Sequence, residues 1–338
     1  MKAVALTRYL PIDDPQSLID IELPRPVAGE HDLLVRVEAV SVNPVDTKVR
    51  SPKPQLEAQP KILGYDAAGT VEAVGAAVTS FRPGDRVYYA GDVTRAGSNA
   101  QYQLVDARLV GHVPPSVELA DAAALPLTVL TAWELLFQRM PFDSEHGGEG
   151  KSLLIIGGAG GVGSIAIQLA RRAGFTVIAT ASRAETIDWC RTMGAQHVIN
   201  HREPLAAQLQ ALGFSQVDAV LNLADTDRYW SVIGDLLAPQ GHVGLIVEPV
   251  GALKIGDPYK AKCIGIHWEM MFARARYKTD DQAEQGRILE RVAAMLASGE
   301  LRGTRTATLT PIHAANLREA HRQLESGSTI GKLVLAGW

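Results

Sequence analysis

The sequence predicts an α/β protein of two domains, a doubly wound parallel six-stranded sheet preceded by a mostly antiparallel β domain, and three observations carry that prediction. Residues Ser152 to Gly163 read SLLIIGGAGGVG, an apolar run that empties into a glycine loop with Gly158, Gly160 and Gly163 in GxGxxG spacing, followed by the helical stretch SIAIQLARRAG. After it, short runs rich in Val, Ile and Leu alternate with helix-like runs, as buried parallel strands joined by crossover helices do. Before it, from Met1 to about Pro126, apolar residues tend to alternate with polar ones, and Pro and Gly punctuate the gaps. A chain of 338 residues is long enough for two cores, and 46% hydrophobic with 21% charged residues is an ordinary globular composition.

Taken in order, KAVALTRY, DLLVRVEAVSVN, GTVEAVG, DRVYYAG and AQYQLVD read as strands of the first domain. A polar loop, PFDSEHGGEG, leads to the strand that carries the glycines. Next come TVIATA from Thr176, AETIDWCRTMG, HVIN from His197, PLAAQLQALG, VDAVLNL from Val217, RYWSVIGDLLAP, HVGLIV from His242, and a sixth strand, KCIGIHWE, from Lys262. The helical EQGRILERVAAMLASGEL and the closing GKLVLAG are expected to return to the first domain. The expected domains are therefore residues 1–126 completed by 271–338, and residues 127–270.

The order of strand, glycine loop and helix is what a dinucleotide requires. Gly158 would permit a tight turn, Gly160 would remove the side chain that blocks a pyrophosphate, and Gly163 would let the helix pack on the strand. Gly161 and Val162 then offer free N–H groups at the helix start, where phosphates bind. About 20 residues on, where NAD-preferring enzymes place an acidic residue, the chain has Ala181, Ser182 and Arg183. Ser182 can donate to a 2′-phosphate and Arg183 can pair with it through a planar fork, so NADPH is the expected cofactor.

Bulk features mostly exclude partners. A net charge of −4 without a Lys/Arg cluster gives no footprint for nucleic acid. No apolar run approaches the ~18 residues of a membrane span, and MKAVALTRY lacks the core of a signal peptide. Cys190 and Cys263 fall in a helix and a strand and read as buried thiols, which suits a cytoplasmic location.

With these residues in view, the chain resembles the medium-chain dehydrogenase/reductase superfamily, whose first domain is a GroES-like β-barrel and whose second is a Rossmann domain. NPVDTKVR at Asn43 to Arg50, GYDAAG at Gly64 to Gly69, RPGDRV at Arg82 to Val87, LPLTVLTAWELL at Leu125 to Leu136 and GGAGGVGS resemble its quinone oxidoreductase branch. YAGD, GSNAQYQLVD and IHWEMMF are similar to a bacterial subgroup labelled zinc-type alcohol dehydrogenase-like. The zinc enzymes of the superfamily place a Cys where this chain has Asn43, a His where it has Tyr65 and a third ligand where it has Leu127. Zinc needs N, S or carboxylate ligands plus an open position, and these three side chains offer none, so no metal is expected. The four cysteines of a structural zinc lobe are missing too. His197, His201 and the pair His267 and Glu269 lack a third ligand and read as packed or solvated side chains.

The resemblance also implies roles. It puts Asn43 at the nicotinamide pocket, gives Asp46 the task of holding that loop, places Thr128 and Thr131 beside the cofactor, and sets His201 near the adenosine phosphate. Tyr65 is the candidate donor to the substrate oxygen, with packing as its other reading, and Lys48 is a weaker candidate. Backbone around Leu245 to Val247 is expected to meet the nicotinamide amide. The implied function is NADPH-dependent reduction of quinones or α,β-unsaturated carbonyls without zinc, with a homodimer formed through the edge strand KCIGIHWE. A zinc-type alcohol dehydrogenase and a non-catalytic, crystallin-like nucleotide-binding protein are the alternatives.

Overall fold

The structure is a computed structural model that describes all residues, 1–338. It divides into two compact units, Met1–Leu130 with Phe272–Trp338, and Thr131–Met271.

The first unit begins with β1 (Lys2–Tyr9), β2 (Ile19–Glu22), β3 (Asp32–Ser41), α1 (Pro44–Arg50), β4 (Lys53–Ile62), β5 (Ala67–Val74), β6 (Arg86–Tyr89), β7 (Tyr102–Asp106), β8 (Gly111–His112) and α2 (Leu119–Ala123). The helix α3 (Pro126–Glu134) carries the chain onward. Strand β3 organises the larger sheet because its alternate residues Leu33, Val35 and Val37 are all buried in one core. It pairs antiparallel with β5 and with β7. Burying a side chain of that size stabilises the fold by about 1.5–3 kcal/mol. A smaller sheet has the order β2-β1-β4. The strand β4, KPQLEAQPKI, is one that apolar alternation does not announce, because most of it is exposed. It is an edge strand of its sheet, where Pro54 and Pro60 can be tolerated.

The second unit holds β9 (Ser152–Ile156), α4 (Gly161–Arg172), β10 (Thr176–Thr180), α5 (Ala184–Thr192), β11 (His197–Ile199), α6 (Leu205–Ala211), β12 (Val217–Asn222), α7 (Thr226–Leu236), β13 (Leu237–Leu245) and β14 (Gly265–Trp268). The six strands run parallel in the order β11-β10-β9-β12-β13-β14. This is the doubly wound sheet read from the sequence. The winding reverses between β9 and β12, and at such a switch point the crevice beyond the carboxyl ends of the strands is where ligands bind. Register brings those ends level: Asn222 lies opposite Ile156 and Leu245, and Leu245 opposite Trp268.

The chain then adds α8 (Ala273–Tyr277), α9 (Glu284–Ser298), β15 (Arg305–Leu309), α10 (Ala314–Glu325) and β16 (Lys332–Ala336) to the first unit. Strand β16 pairs antiparallel with β3, setting Leu335 opposite Val40, and parallel with β15. The larger sheet is thereby completed in the order β15-β16-β3-β5-β6-β8.

Two expectations need correction. The sixth strand starts at Gly265 rather than Lys262, because the N–H groups of Lys262, Cys263 and Ile264 close local turns on Pro258 O, Lys260 O and Tyr259 O and so are not available to a ladder. Cys263, expected to be buried in that strand, is exposed in a left-handed turn at φ 53°, whereas Cys190 is buried as expected.

Candidate active site

In the first unit, Asn43 is the residue before α1, and its N–H donates to Asp46 Oδ2 at 2.8 Å, which ties down the start of the helix. Gly64 has φ +110°, and a Cβ there would come within 2.5 Å of Ser98 Oγ, so glycine makes the turn that presents Tyr65 and Asp66. Asp66 Oδ2 accepts from Asn43 Nδ2 at 2.8 Å and from Lys332 Nζ at 3.1 Å. Its Oδ1 accepts the Leu127 N–H at 2.7 Å. The Lys332 ammonium also donates to Val42 O at 2.9 Å and to Asn43 Oδ1. All three hydrogens of that ammonium are thus used, inside a site where Lys332 is only 3% exposed.

Burial pushes the Asp66 carboxyl up, while Lys332, Asn43 and Leu127 pull it down. Because both of its oxygens serve as acceptors, the hydrogen-bond pattern requires the ionised form. Asp46 is the other buried carboxyl of the cluster, and its Oδ1 has no hydrogen-bond partner. Burial raises it to about 7, against the opposing pull of the Asn43 N–H and of Lys332.

The other expected residues of this unit divide. The Tyr65 ring is 1% exposed and lies edge-on to Phe272 at 5.4 Å, so it packs. Burial and the charge of Asp46 hold its hydroxyl well above the usual tyrosine range, so it stays protonated and able to donate. Thr128 is buried and donates its hydroxyl to Leu125 O at 2.9 Å. Lys48 is exposed on the outer side of α1 and does not join the cluster. Asp66 was not assigned a role from the sequence, and Lys332 is the member to which no sequence signal pointed. It lies 289 residues from Asn43, in a closing strand whose pattern announces only burial.

In the second unit the glycine loop joins β9 to α4. Here the roles of the glycines shift by one place. Gly157, at φ +90°, makes the turn assigned above to Gly158. Gly158 is required by packing, since a Cβ would lie 2.8 Å from Ala179 Cβ and 3.0 Å from Cys190 Sγ. Gly163 sits against the loop itself, 2.3 Å from Gly157 O if given a Cβ. Gly160 differs from both: its Cβ would meet only Gly157 O, at 3.6 Å. Nothing in the protein crowds that position, and its bare backbone leaves the space that a pyrophosphate would need. The N–H groups of Gly161, Val162 and Gly163 open α4, and the first intrahelical bond is that of Ser164 to Gly160 O. The loop therefore fits a dinucleotide.

Beyond β10, half-buried Ser182 is followed by half-buried Arg183 at the start of α5, and Arg183 Nε pairs with Glu185 Oε1 at 2.8 Å. His201 follows β11, the strand beside β10. Burial first, then Arg228 and Arg202, depress its imidazole below the usual histidine range. Arg228 is a second basic neighbour that the sequence did not single out, and it donates to His201 O at 3.4 Å. At the end of β13, Leu245 O accepts from the Glu269 N–H and Val247 O from Thr226 Oγ1. Buried Thr131 also belongs to this unit. Glu269 is not a solvated neighbour of His267. Arg139 holds it at 2.7 Å and Glu134 at 3.1 Å, and burial together with the Glu134 charge pushes Glu269 up. His267 instead meets His242 Nδ1 at 3.0 Å, and His197 lies edge-on to Phe214.

Residues 29–115 match the alcohol dehydrogenase GroES-like domain family, and residues 193–335 match the zinc-binding dehydrogenase family. A zinc-type alcohol dehydrogenase-like protein of Staphylococcus aureus (strain MSSA476) is 41% identical, over 99% of this chain and 99% of its own. The chain belongs to the medium-chain dehydrogenase/reductase superfamily. A chloroplastic quinone-oxidoreductase homolog of Spinacia oleracea is 32% identical over 72% of this chain and 74% of its own. Among solved structures, a candidate zinc-dependent alcohol dehydrogenase from Rhizobium etli CFN 42 matches with a TM-score of 0.94 and 50% identity, covering 100% of this chain and 98% of that one. Membership makes the chain an oxidoreductase with a GroES-like domain and a Rossmann sheet.

The zinc in those names can be tested against the side chains. At the three places where a zinc enzyme of the superfamily presents ligands, this chain has an amide committed to Lys332 and Asp66, a packed phenol, and Leu127, which contributes its backbone N–H. No group of three His, Cys, Asp or Glu side chains lies together so as to hold a metal. The residues present do not fit a catalytic zinc.

Proposed function

We propose that this chain is an NADPH-dependent reductase of quinones or α,β-unsaturated carbonyls that works without zinc, as a cytoplasmic homodimer. One observation carries the reading: where a Lewis acid would be held, the site has hydrogen-bond donors and an internal ammonium. When bound, NADPH supplies a hydride, which a quinone or the β-carbon of an enone can accept while charge gathers on an oxygen. Stabilising that oxygen needs donors, a task in which losing one donor typically costs on the order of 3 kcal/mol. Tyr65, kept protonated, is the proposed donor. Asn43 has a second Nδ2 hydrogen beyond the one given to Asp66, and Asp46 fixes the backbone on which it stands. Thr128 and Thr131 are proposed to line the cofactor. Its pyrophosphate would lie on Gly160, Gly161, Val162 and Gly163, and its 2′-phosphate near Ser182, Arg183 and His201.

Support for the dimer is the free edge of β14, where Trp268 is 47% and nearby Met270 48% exposed. The cytoplasmic location draws on two cysteines that are both free. The deciding experiment is NADPH oxidation with a quinone or enone by purified protein treated with a chelator. Turnover is expected to persist, and Tyr65→Phe is expected to lower it while NADPH binding stays intact. Stoichiometric zinc with chelator-sensitive oxidation of a primary alcohol would overturn the reading, and a monomer mass by light scattering at micromolar concentration would overturn the dimer.

A further inference from the structure

We propose that Lys332 is a resident cation, an ammonium tethered on β16 that fills the oxygen cage of Val42, Asn43 and Asp66, excludes divalent metals from it and fixes the orientation of the Asn43 amide. This deepens the zinc-free reading and rests on it, and it names the group that closes the site.

Three features carry the inference. The first is stoichiometry. An ammonium has three donors and no acceptor, and this one meets three oxygens: a peptide carbonyl at 2.9 Å, the Asn43 amide oxygen, and a carboxylate oxygen at 3.1 Å. That set, two neutral oxygens and one anionic, is also the hard-donor chemistry of magnesium or manganese sites, and the orphaned Oδ1 of buried Asp46 belongs to the same cluster. A second cation among these oxygens would stand a few ångströms from the ammonium at low dielectric, so the two exclude each other.

The second is orientation. The two ends of an asparagine amide are nearly alike in shape, and only its partners decide which way it points. Lys332 can only donate, so the end facing it is Oδ1, and Asp66 accepts from Nδ2 at the other end. The remaining Nδ2 hydrogen therefore has one fixed direction. The third is closure. Lys332 is 3% exposed, Asn43 1% and Asp66 0%, so neither solvent nor a mobile ion is needed to neutralise Asp66.

The test compares wild type, Lys332→Ala and the double variant Lys332→Ala with Asp66→Asn, each dialysed against manganese and freed of unbound metal. Wild type is expected to retain none. Lys332→Ala should retain about one manganese per chain, since one or two carboxylates with neutral oxygens and water suffice for such an ion. Its melting temperature should rise with added manganese or methylammonium, and the double variant should lose both responses. If Lys332→Ala does not fold by itself, either cation is expected to restore folding where equimolar sodium does not. A Lys332→Ala protein that folds without taking up manganese, or that neither cation rescues, overturns the inference and leaves the zinc-free reading intact. Wild type that holds a metal even after Asp66→Asn overturns the zinc-free reading and leaves the role of Lys332 standing, whereas wild-type metal lost with Asp66→Asn overturns both.

Discussion

The glycine loop of the second unit and the Asn43–Asp66–Lys332 cluster of the first both manage charge, and they do so by opposite means. The loop offers backbone N–H groups at the start of α4 and keeps Gly160 bare, an arrangement that fits an anionic ligand from outside. The cluster answers its own charge: every hydrogen of the Lys332 ammonium and both oxygens of Asp66 are used within the protein. An open site can be written in a few adjacent residues, whereas a closed one has to be gathered from across the chain.

Opening the closed site should have the largest effect. Asp66→Ala strands a buried ammonium, and removing one partner of a buried pair costs about 3–5 kcal/mol. Urea unfolding should show that loss, and one no larger than the ~1 kcal/mol of a surface pair would mean that the cluster is not closed. The open site should divide its own glycines. Gly163→Ala forces a Cβ to within 2.3 Å of Gly157 O and is expected to lower the melting temperature. Gly160→Ala meets nothing closer than 3.6 Å, so it should leave the melting temperature unchanged yet weaken dinucleotide binding about ten-fold or more by calorimetry. Equal effects of the two on folding would remove the distinction.

Smaller is the effect expected at Arg183. Arg183 is half-buried and pairs with Glu185, so a 2′-phosphate would take the place of that carboxylate as its partner. Arg183→Ala should weaken NADPH by about 1.4 kcal/mol and spare NADH in parallel titrations, and equal losses for both would refute the assignment. The smallest effect concerns pH. Asp46 is raised in the folded state to about 7, so it binds its proton more tightly folded than unfolded. Its stabilising contribution is then present below the ordinary carboxylate range and is lost as pH rises through about 7. Denaturation at pH 5 and pH 8 should show that Asp46→Asn flattens this decline, and an unchanged slope would exclude Asp46 as its source.

Much of the fold was legible because its signals are local. Buried parallel strands read as short apolar runs, and β3 reads as alternation, since each follows from which faces are covered. Strand β4 was not legible, because an exposed edge strand with two prolines has no apolar pattern to display. The glycine loop could be found but not apportioned, since the φ that singles out Gly157 is a property of the folded turn. In the first unit, Asn43 stood out only through resemblance to a family, and Asp66 was read only as part of the GYDAAG run. Lys332 could not be found at all, because the link that matters spans 289 residues and depends on β16 pairing with β3.

That pairing also orders events during synthesis. All six strands of the Rossmann sheet lie between Ser152 and Trp268, so it can assemble as an uninterrupted stretch leaves the ribosome. The first unit cannot do the same, because β3 waits for β16, nearly the whole length of the chain later. Until then Asp66 has no ammonium to face, and the nascent protein carries a complete parallel sheet together with an incomplete first unit. The arrival of β16 is therefore also the step that seals the buried charge of the unit whose synthesis began first.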